Sequence, residues 1–370
     1  MGQYWIICCM DTRQTMPTFG GKMGEFLFDC SPGHMTDLLA VPVLPQRLSP
    51  RFKRVATVHS PFSNLPAELH DLIFQNLDIL DAVSLGLTNG YFFNLAERHV
   101  HAAYMSLLGQ WAGKRIICIG DDIDDDDWPS WFSEEDKRHF LLKESERSKN
   151  PDDDPVTPYG IMDRNTTVVK LYSELIQDVR LHLEGMQGCL ITKDGQLYNS
   201  MEKTFCPPLQ MFYPEDQPWI LRNLATREFV RAEAVALKKE HVHGPDIDFR
   251  GFGEVVVSRI PWSSSSSVQM INTTNMHRGV WAGHRLDIVT VEKHETDLNG
   301  EEWKDASDEV KKELHEIWSN RLGDDGEGKL EETLTRWKVG TTRRVEGPLI
   351  LPYSVDLNLS TRMLVWPTYD

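Results

Sequence analysis

An acidic run is the densest group of potential metal ligands in this sequence. Asp121, Asp122 and Asp124 to Asp127 place six carboxylates within seven positions. Carboxylate oxygens suit calcium, but a calcium loop also needs alternating ligands, a glycine turn and a distal glutamate. This run has neither that glycine nor that spacing. We therefore expect a solvated acidic loop.

Histidine and glycine patterns give no recognisable catalytic set. His241 and His243 have no Cys pair or further ligand at zinc spacing. His277-Arg278 and His284-Arg285 could bind an anion if they converge, although surface turns are the simpler expectation. No G-x-S-x-G, G-x-x-x-x-G-K-[ST] or G-x-G-x-x-G occurs, and Gly251-Phe252-Gly253 is expected to begin a strand. The sequence thus predicts no catalytic residues, no metal and no cofactor.

Composition describes a folded protein of two domains, or of one large domain with an insertion. The chain has 370 residues and 40% hydrophobic content, enough for real cores. A balance of 39 basic against 56 acidic residues argues against nucleic acid and anionic membranes as partners. No apolar run could span a membrane, no secretory signal is visible, and the six cysteines form no C-x-x-C pair. We expect reduced thiols and a cytoplasmic or nuclear location.

The most informative stretch lies at residues 65–93 and has the pattern of three short helices. Pro66 suits a first helical turn, and an apolar stripe follows at helical spacing: Leu69, Leu72, Ile73 and Leu77. Asp78 and Asp81 offer start signals for a second helix. Thr88-Asn89-Gly90 supplies the next break, before a third apolar helix toward Leu108.

This stretch resembles the F-box motif. The resemblance rests on an L-P-x-E-L opening at Leu65, an I-F-x-x-L-D step at Ile73 and a D-A-x-x-L-x-x-T-N run at Asp81. It implies docking on the Skp1-type adaptor of a cullin–RING ubiquitin ligase. The partner-binding residues it implies are Leu65, Pro66, Glu68, Leu69, Ile73, Phe74, Leu77 and Leu85. An ordinary amphipathic helical hairpin inside an enzyme domain is the alternative.

Three pieces of sequence recur in the same order and predict an internal duplication. WIICCMDTRQTM from Trp5 matches WILRNLATREFV from Trp219, and each predicts a strand, a polar turn and a second strand. Gly24-Glu25-Phe26-Leu27-Phe28 matches Gly253-Glu254-Val255-Val256-Val257. The W-A-G-x-R sequence at Trp111 matches that at Trp281, and each leads into a strand-like run.

The repeated Arg and Glu could form a pocket at the centre of a two-fold body. Its residues would be Glu25, Arg115, Glu254 and Arg285, although a structural Arg–Glu pair under a Trp is the commoner arrangement. Further helices are predicted at 166–184 and 305–322, and the run Ser263 to Ser267 is predicted to form a loop tip.

These patterns predict an α+β fold: a duplicated, mainly-β body with a three-helix F-box-like insertion. The first lobe would comprise residues 1–61 and 109–143, and the insertion residues 62–108. A linker at 144–160 would lead to a second lobe at 161–370. Most of the chain also resembles a group of uncharacterised fungal proteins that carry an F-box. That resemblance rests on the M-G-Q-Y-W start, a G-K-x-G-E segment, the W-A-G-x-R-I-I strand leading into G-D, and an L-x-x-R-E-F-V-R-A-E-A run.

The function that follows is substrate recognition without chemistry. The helices would bind a Skp1-like adaptor, and the body would hold an unknown protein substrate. The alternative is a small-molecule-binding protein or enzyme whose pocket lies between the two repeats, with the helices as a lid.

Overall fold

The computed structural model describes most of the first 322 residues. The described ranges are 2–16, 21–28, 32–44, 62–124, 126–129, 132–134, 166–167, 172–186, 196–268, 270, 275–298 and 300–322. Within them the chain forms eleven α-helices and one large mixed sheet, which is an α+β fold. The predicted linker at 144–160 and the tail from Gly347 lie outside the described residues.

Helices and strands are numbered here in chain order. The helices are α1 (Met23–Phe28), α2 (Gly33–Leu39), α3 (Ala67–Asn76), α4 (Ile79–Gly86), α5 (Gly90–Leu107), α6 (Tyr172–Met186), α7 (Gln196–Phe205), α8 (Ala232–Val235), α9 (Phe252–Arg259), α10 (Val291–Asp297) and α11 (Ser307–Leu322). The strands are β1 (Trp5–Cys9), β2 (Gln14–Thr15), β3 (Lys114–Gly120), β4 (Thr166–Thr167), β5 (Trp219–Asn223), β6 (Glu228–Arg231), β7 (Val242–His243), β8 (Asp246–Ile247), β9 (Pro261–Trp262), β10 (Arg285–Thr290) and β11 (Lys304–Asp305).

Nine strands make the large sheet, in the order β11-β6-β5-β10-β3-β1-β2-β4, with β9 beside β3. The strands of the predicted hairpins pair antiparallel, β1 with β2 and β5 with β6. Both polar turns are tight: Arg13 and Arg227 adopt φ of 54° and 56°. These strand–turn–strand predictions are confirmed.

The strands after the two W-A-G sequences pair with the hairpins in the same way. Trp5 lies opposite Gly120 and Cys9 opposite Ile116 in the β1–β3 pair. In the β5–β10 pair, Trp219 lies opposite Thr290 and Asn223 opposite Leu286. Each W-A-G glycine has a left-handed backbone, with φ of 70° at Gly113 and 73° at Gly283. The two glycine N–H groups donate reciprocally to the carbonyls of Leu286 and Ile116.

β3 and β10 meet only at their first residues, where Arg115 lies opposite Arg285. Beyond that overlap, the place beside each strand is taken by a segment from the other half of the chain. Pro261 pairs with Cys118 of β3, while Ala40 pairs with Ile288 of β10. The two halves, residues 2–124 and 196–322, are therefore joined in one sheet.

Gly251-Phe252-Gly253 begins a helix, so the prediction of a strand there is wrong. All eight residues of α9 are buried, and the Glu254 carboxylate accepts from the Gly251 N–H at 2.8 Å. A helix buried on every side has no polar face, and its run of three valines is typical of a strand. Tertiary burial outweighs this local preference. Gly24–Phe28, the matching piece, is also helical, within α1.

Two further predictions need correction. Ser263 is buried, and its hydroxyl donates to the Gln3 side-chain oxygen at 2.7 Å, so the serine run starts inside the protein. The helix predicted at 166–184 begins only at Tyr172, because Thr166 and Thr167 form β4 beside β2. The helix predicted at 305–322 is confirmed as α11, where Ser307 N–H donates to the Asp305 carboxylate.

Candidate partner-binding site

Helices α4 and α5 begin where the sequence supplies caps. The Asp78 carboxylate caps α4 by accepting from the N–H groups of Leu80 and Asp81, both at 2.9 Å. The Asn89 side chain caps α5 by accepting from Phe92 N–H at 3.0 Å. These caps satisfy donors that a helix start leaves unpaired. The predicted helix boundaries are thus confirmed.

One side of α3 packs inward through His70 and Phe74. His70 Nε2 donates to the Phe62 carbonyl at 2.8 Å, and its other ring nitrogen lies 3.2 Å from the Tyr91 hydroxyl. Phe74 stacks on His99, with ring centroids 5.5 Å apart, and also contacts Phe92. A fully bonded imidazole at this position fixes the rotation of α3 about its own axis.

That rotation leaves the leucines of α3 on the outside. Leu69 is 42% exposed and Leu72 is 52% exposed, while Leu65, Ile73 and Leu77 are half-buried. Large exposed apolar residues grouped on one helix are typical of an interface. These residues form what we call the α3 patch: Leu65, Pro66, Leu69, Leu72, Ile73 and Leu77.

The remaining implied partner-binding residues are divided between surface and core. Glu68 is exposed at the start of α3, and Leu85 is half-buried against the main core. Phe74 is only 2% exposed, and its ring packs within the three helices. Burial argues against a partner contact for Phe74, whose role in binding stays a prediction. Leu72 is the exposed residue that the motif did not include.

The helices are attached to the second half of the chain by buried polar contacts. Tyr104 of α5 donates its hydroxyl to the Phe205 carbonyl at 2.6 Å, and His101 Nε2 donates to the Thr204 carbonyl at 2.8 Å. The rings of Phe93 and Phe205 lie 4.9 Å apart. Because α5 covers the end of α7, the α3 patch is held on a rigid support.

Of the four predicted pocket residues, the structure brings only the two arginines together. Arg115 and Arg285 are opposite one another in the β3–β10 pair. Glu254 is buried as the capping residue of α9, and Glu25 is exposed on α1. The glutamates are thus committed elsewhere or face solvent, and the arginines form a central pair without them.

A structural Arg–Glu group under a tryptophan does exist, but with residues that the sequence reasoning missed. The Arg259 guanidinium lies 4.7 Å from the Trp281 ring centroid and donates to Glu309 and Glu313 at 2.6 to 2.8 Å. Burial alone would lower the pKa of Arg259, but its bonds to the two glutamates raise it. The i, i+4 spacing of Glu309 and Glu313 on α11 was the available signal.

The acidic run is only partly solvated, which corrects the expectation of a free loop. Arg278 donates twice to the Asp127 carboxylate, at 2.6 and 2.8 Å. Ser264 donates to the same carboxylate, and the Arg278 guanidinium lies 4.6 Å from the Trp262 ring centroid. Burial would raise the pKa of Asp127, but these bonds hold it below the ordinary value. The run therefore anchors its loop on the body.

Two small cavities lie among the described residues. One has a volume of about 70 Å³ and is lined by Leu209, Gln210, Tyr213, Glu215, His243 and Asp246. The other measures about 260 Å³ and lies against Met270, Ile317, Asn320 and Arg321. Both fall below the roughly 300 Å³ of ordinary small-molecule sites. Neither includes the central arginines.

The described ranges contain four of the six cysteines. Cys8, Cys9, Cys118 and Cys206 are free and buried there, while Cys30 and Cys189 lie outside those ranges. Burial raises the pKa of the Cys118 thiol, and the neighbouring Cys8 adds to this, so the thiol form is favoured. No group of three or more His, Cys, Asp or Glu in the described part could hold a metal ion. In the same part, no helix has the length and apolar character needed to cross a membrane.

Comparison with known proteins gives one partial similarity. The flavin-containing monooxygenase iboF of Amanita muscaria is 27% identical over 111 residues, which cover 26% of this chain and 21% of that enzyme. The chain thus spans about a fifth of the length of this relative. No protein-family model matches the chain. No solved structure matches it either.

Proposed function

We propose that this chain is an F-box substrate-recognition subunit of a Skp1–cullin–F-box type ubiquitin ligase. The observation that carries the proposal is the outer face of α3, where Leu69 and Leu72 are exposed on a helix anchored by buried His70 and Phe74. Taking a fully exposed leucine side chain out of water is favourable by about 1.5–3 kcal/mol, and the half-exposed Leu69 and Leu72 would each gain part of this on docking. Two adjacent exposed leucines on a rigid helix therefore favour a docking role.

The caps and the attachment of the helices support the same proposal. Asp78 and Asn89 give α4 and α5 defined starts, and Tyr104 holds α5 on α7. A rigid docking surface loses little conformational freedom when a partner binds. The adaptor would cover the α3 patch, and the body would hold the protein substrate without chemistry of its own.

We further infer that the body is a duplicated unit with the helices inserted in its first copy. The shared register of the β1–β3 and β5–β10 pairs supports this origin, as do the matched turns at Arg13 and Arg227. The connection from Ala40 to Trp111 contains α3, α4 and α5, whereas that from Pro261 to Trp281 contains no helix among its described residues. Surface connections are where insertions are tolerated.

Co-purification with a Skp1-type adaptor tests the docking role. Leu69→Asp with Leu72→Asp should abolish capture of the full chain by the adaptor, because both side chains are exposed and a charge there opposes burial. Val280→Asp is the matched control, since Val280 is 63% exposed on the body. All chains should show the same melting temperature. An adaptor that binds the doubly substituted chain as well as the wild type would contradict the proposal.

The second candidate is an enzyme or small-molecule-binding protein with the helices as a lid. The partial similarity to a flavin-containing monooxygenase is the observation that favours it. The sequence has no G-x-G-x-x-G fingerprint for a dinucleotide, which argues against it. Visible absorbance of bound flavin in the purified chain would support this candidate, and its absence after incubation with flavin would count against it.

A further inference from the structure

The central arginines place two positive charges side by side. Arg115 and Arg285 are directly opposite in an antiparallel pair, so their side chains lie on the same face of the sheet. Such opposite residues have Cβ atoms about 4.5–5.5 Å apart. Two like charges at this spacing repel one another unless carboxylates or solvent compensate them.

Arg115 has its carboxylate from within the chain. The Arg115 backbone N–H and its Nε both donate to the Asp11 side chain, at 2.9 and 2.8 Å. Burial would raise the pKa of Asp11, but these bonds and the charges of Arg115 and Arg285 together hold it below the ordinary value. One arginine thus binds one carboxylate with its main chain and its side chain together.

The second hairpin turn is built like the first but lacks that carboxylate. Both turns end on a residue of left-handed conformation, Arg13 and Arg227. The N–H of Met10 donates to the Arg115 carbonyl, just as that of Leu224 donates to the Arg285 carbonyl. Asp11 follows Met10, whereas Ala225 follows Leu224. Alanine therefore occupies the position that would supply the counter-ion of Arg285.

Arg285 has no direct carboxylate partner of this kind. The residue is exposed, and within the described ranges its guanidinium interacts with Asp11 through charge alone, without a hydrogen bond or close ion pair. The contact between Arg115 and Asp11 shows which kind of group fits beside Arg285. A planar carboxylate can accept from Nε and from the main chain at once, as Asp11 does.

We propose that Arg285 binds the side-chain carboxylate of an acidic segment in the bound protein substrate. The ligand carboxylate takes the place at Arg285 that Asp11 takes at Arg115. The assignment of the occupant to a substrate rests on the proposed function, whereas the carboxylate site itself does not.

The arginine side chains of the full chain, labelled with ¹⁵N, give a direct measurement. The probe is the peptide acetyl-Gly-Glu-Gly-amide, and the matched control is its Gln counterpart at the same ionic strength. We expect the Nε–Hε signal that Arg285→Gln removes to shift with the Glu peptide and not with the Gln peptide. Arg227→Gln should leave the response unchanged, because Arg227 is exposed but paired with Glu301 at 2.7 Å. Equal shifts with both peptides, or no shift, would overturn the site.

Ala225→Asp provides the complementary test. The new carboxylate should occupy the site from within, abolish the response to the Glu peptide and raise the melting temperature slightly. Ala225→Asn, which has a similar shape without the charge, should keep the response. If the Ala225→Asp chain still responds like the wild type, the ligand does not take the place that symmetry with Asp11 assigns to it.

Two outcomes separate this inference from the proposed function. Arg285→Gln should retain adaptor binding, because the α3 patch lies on other elements. If the chain shows the Nε–Hε shift with the Glu peptide but does not bind an adaptor, the carboxylate site is supported and the ligase role is refuted. Binding of succinate at concentrations where the Glu peptide gives no response would overturn the assignment to a protein substrate.

Discussion

Gly253 is the position where the packing of the two halves can be tested most sharply. It is the second residue of α9 and lies against the start of α2. A β-carbon at Gly253 would overlap the carbonyl oxygen of Pro32, which is a backbone atom and cannot rotate away. Gly253→Ala should therefore force α2 and α9 apart.

The size of the effect follows from two opposed contributions. Alanine favours a helix over glycine by about 1 kcal/mol. Overpacking a buried contact costs about 1–3 kcal/mol and occasionally more. Because the clash is with backbone, the larger value applies, and we expect a net loss of about 2 kcal/mol in the free energy of unfolding. Gly33→Ala is the matched control, since a β-carbon there meets nothing within 4 Å. It should be neutral or stabilise by up to about 1 kcal/mol.

Urea unfolding of the three chains, followed by tryptophan fluorescence and circular dichroism, measures both changes. The expected result is a lower midpoint for Gly253→Ala and an equal or higher midpoint for Gly33→Ala, with the slope unchanged. If the two alanines shift the midpoint by the same amount in the same direction, close approach of α2 and α9 is not what makes Gly253 necessary.

Three other perturbations test separate parts of the structure. Trp281→Ala should lower the free energy of unfolding in urea by about 3–5 kcal/mol, because a fully buried ring is lost. A decrease below about 1 kcal/mol would contradict the position of Trp281 in the core. Replacing residues 62–107 by a flexible linker should make the chain aggregate, because α5 covers Phe205, and size-exclusion chromatography measures this. A soluble chain with a cooperative melt would show that the helices are dispensable for folding. Burial and the charge of Arg222 lower the pKa of His294 below its ordinary 6.5, so the unfolded chain binds more protons and stability falls as pH drops below about 6.5. His294→Leu should reduce the loss of stability between pH 7 and pH 5. If the loss is unchanged, groups other than His294 cause it.

Local signals explain which parts of the fold the sequence predicts. The hairpins at Trp5 and Trp219 and the strands after Trp111 and Trp281 follow from alternating apolar runs and from glycine turns, which need no tertiary information. Helices α4 and α5 likewise carry their own caps, at Asp78 and Asn89. Residues 252–259 could not be assigned in this way, because a helix buried on all sides loses the 3.6-residue period that identifies helices.

The candidate sites depend on contacts that the sequence does not display. Arg259 reaches Glu309 and Glu313 across 50 positions or more, and only the folded chain brings them under Trp281. The exposed face of α3 could be predicted as apolar but not oriented, since its rotation is fixed by the bonds of His70. The sequence therefore identifies the apolar residues of α3, and tertiary packing determines which of them stay exposed.

The two hairpins share packing contacts but differ at one charged contact. Packing positions are kept in both halves: Trp111 donates to Gln14, and Trp281 donates in the same way to Glu228, each at 3.1 Å. Contacts of this kind are needed for folding, and a change there costs stability. Position 225 departs from this pattern: Ala225 follows Leu224 where Asp11 follows Met10, and Arg285 forms no direct ion pair with another described residue. If Arg285 serves binding, Ala225→Asp should abolish the response to the Glu peptide, and an unchanged response would leave the missing ion pair without a functional reason.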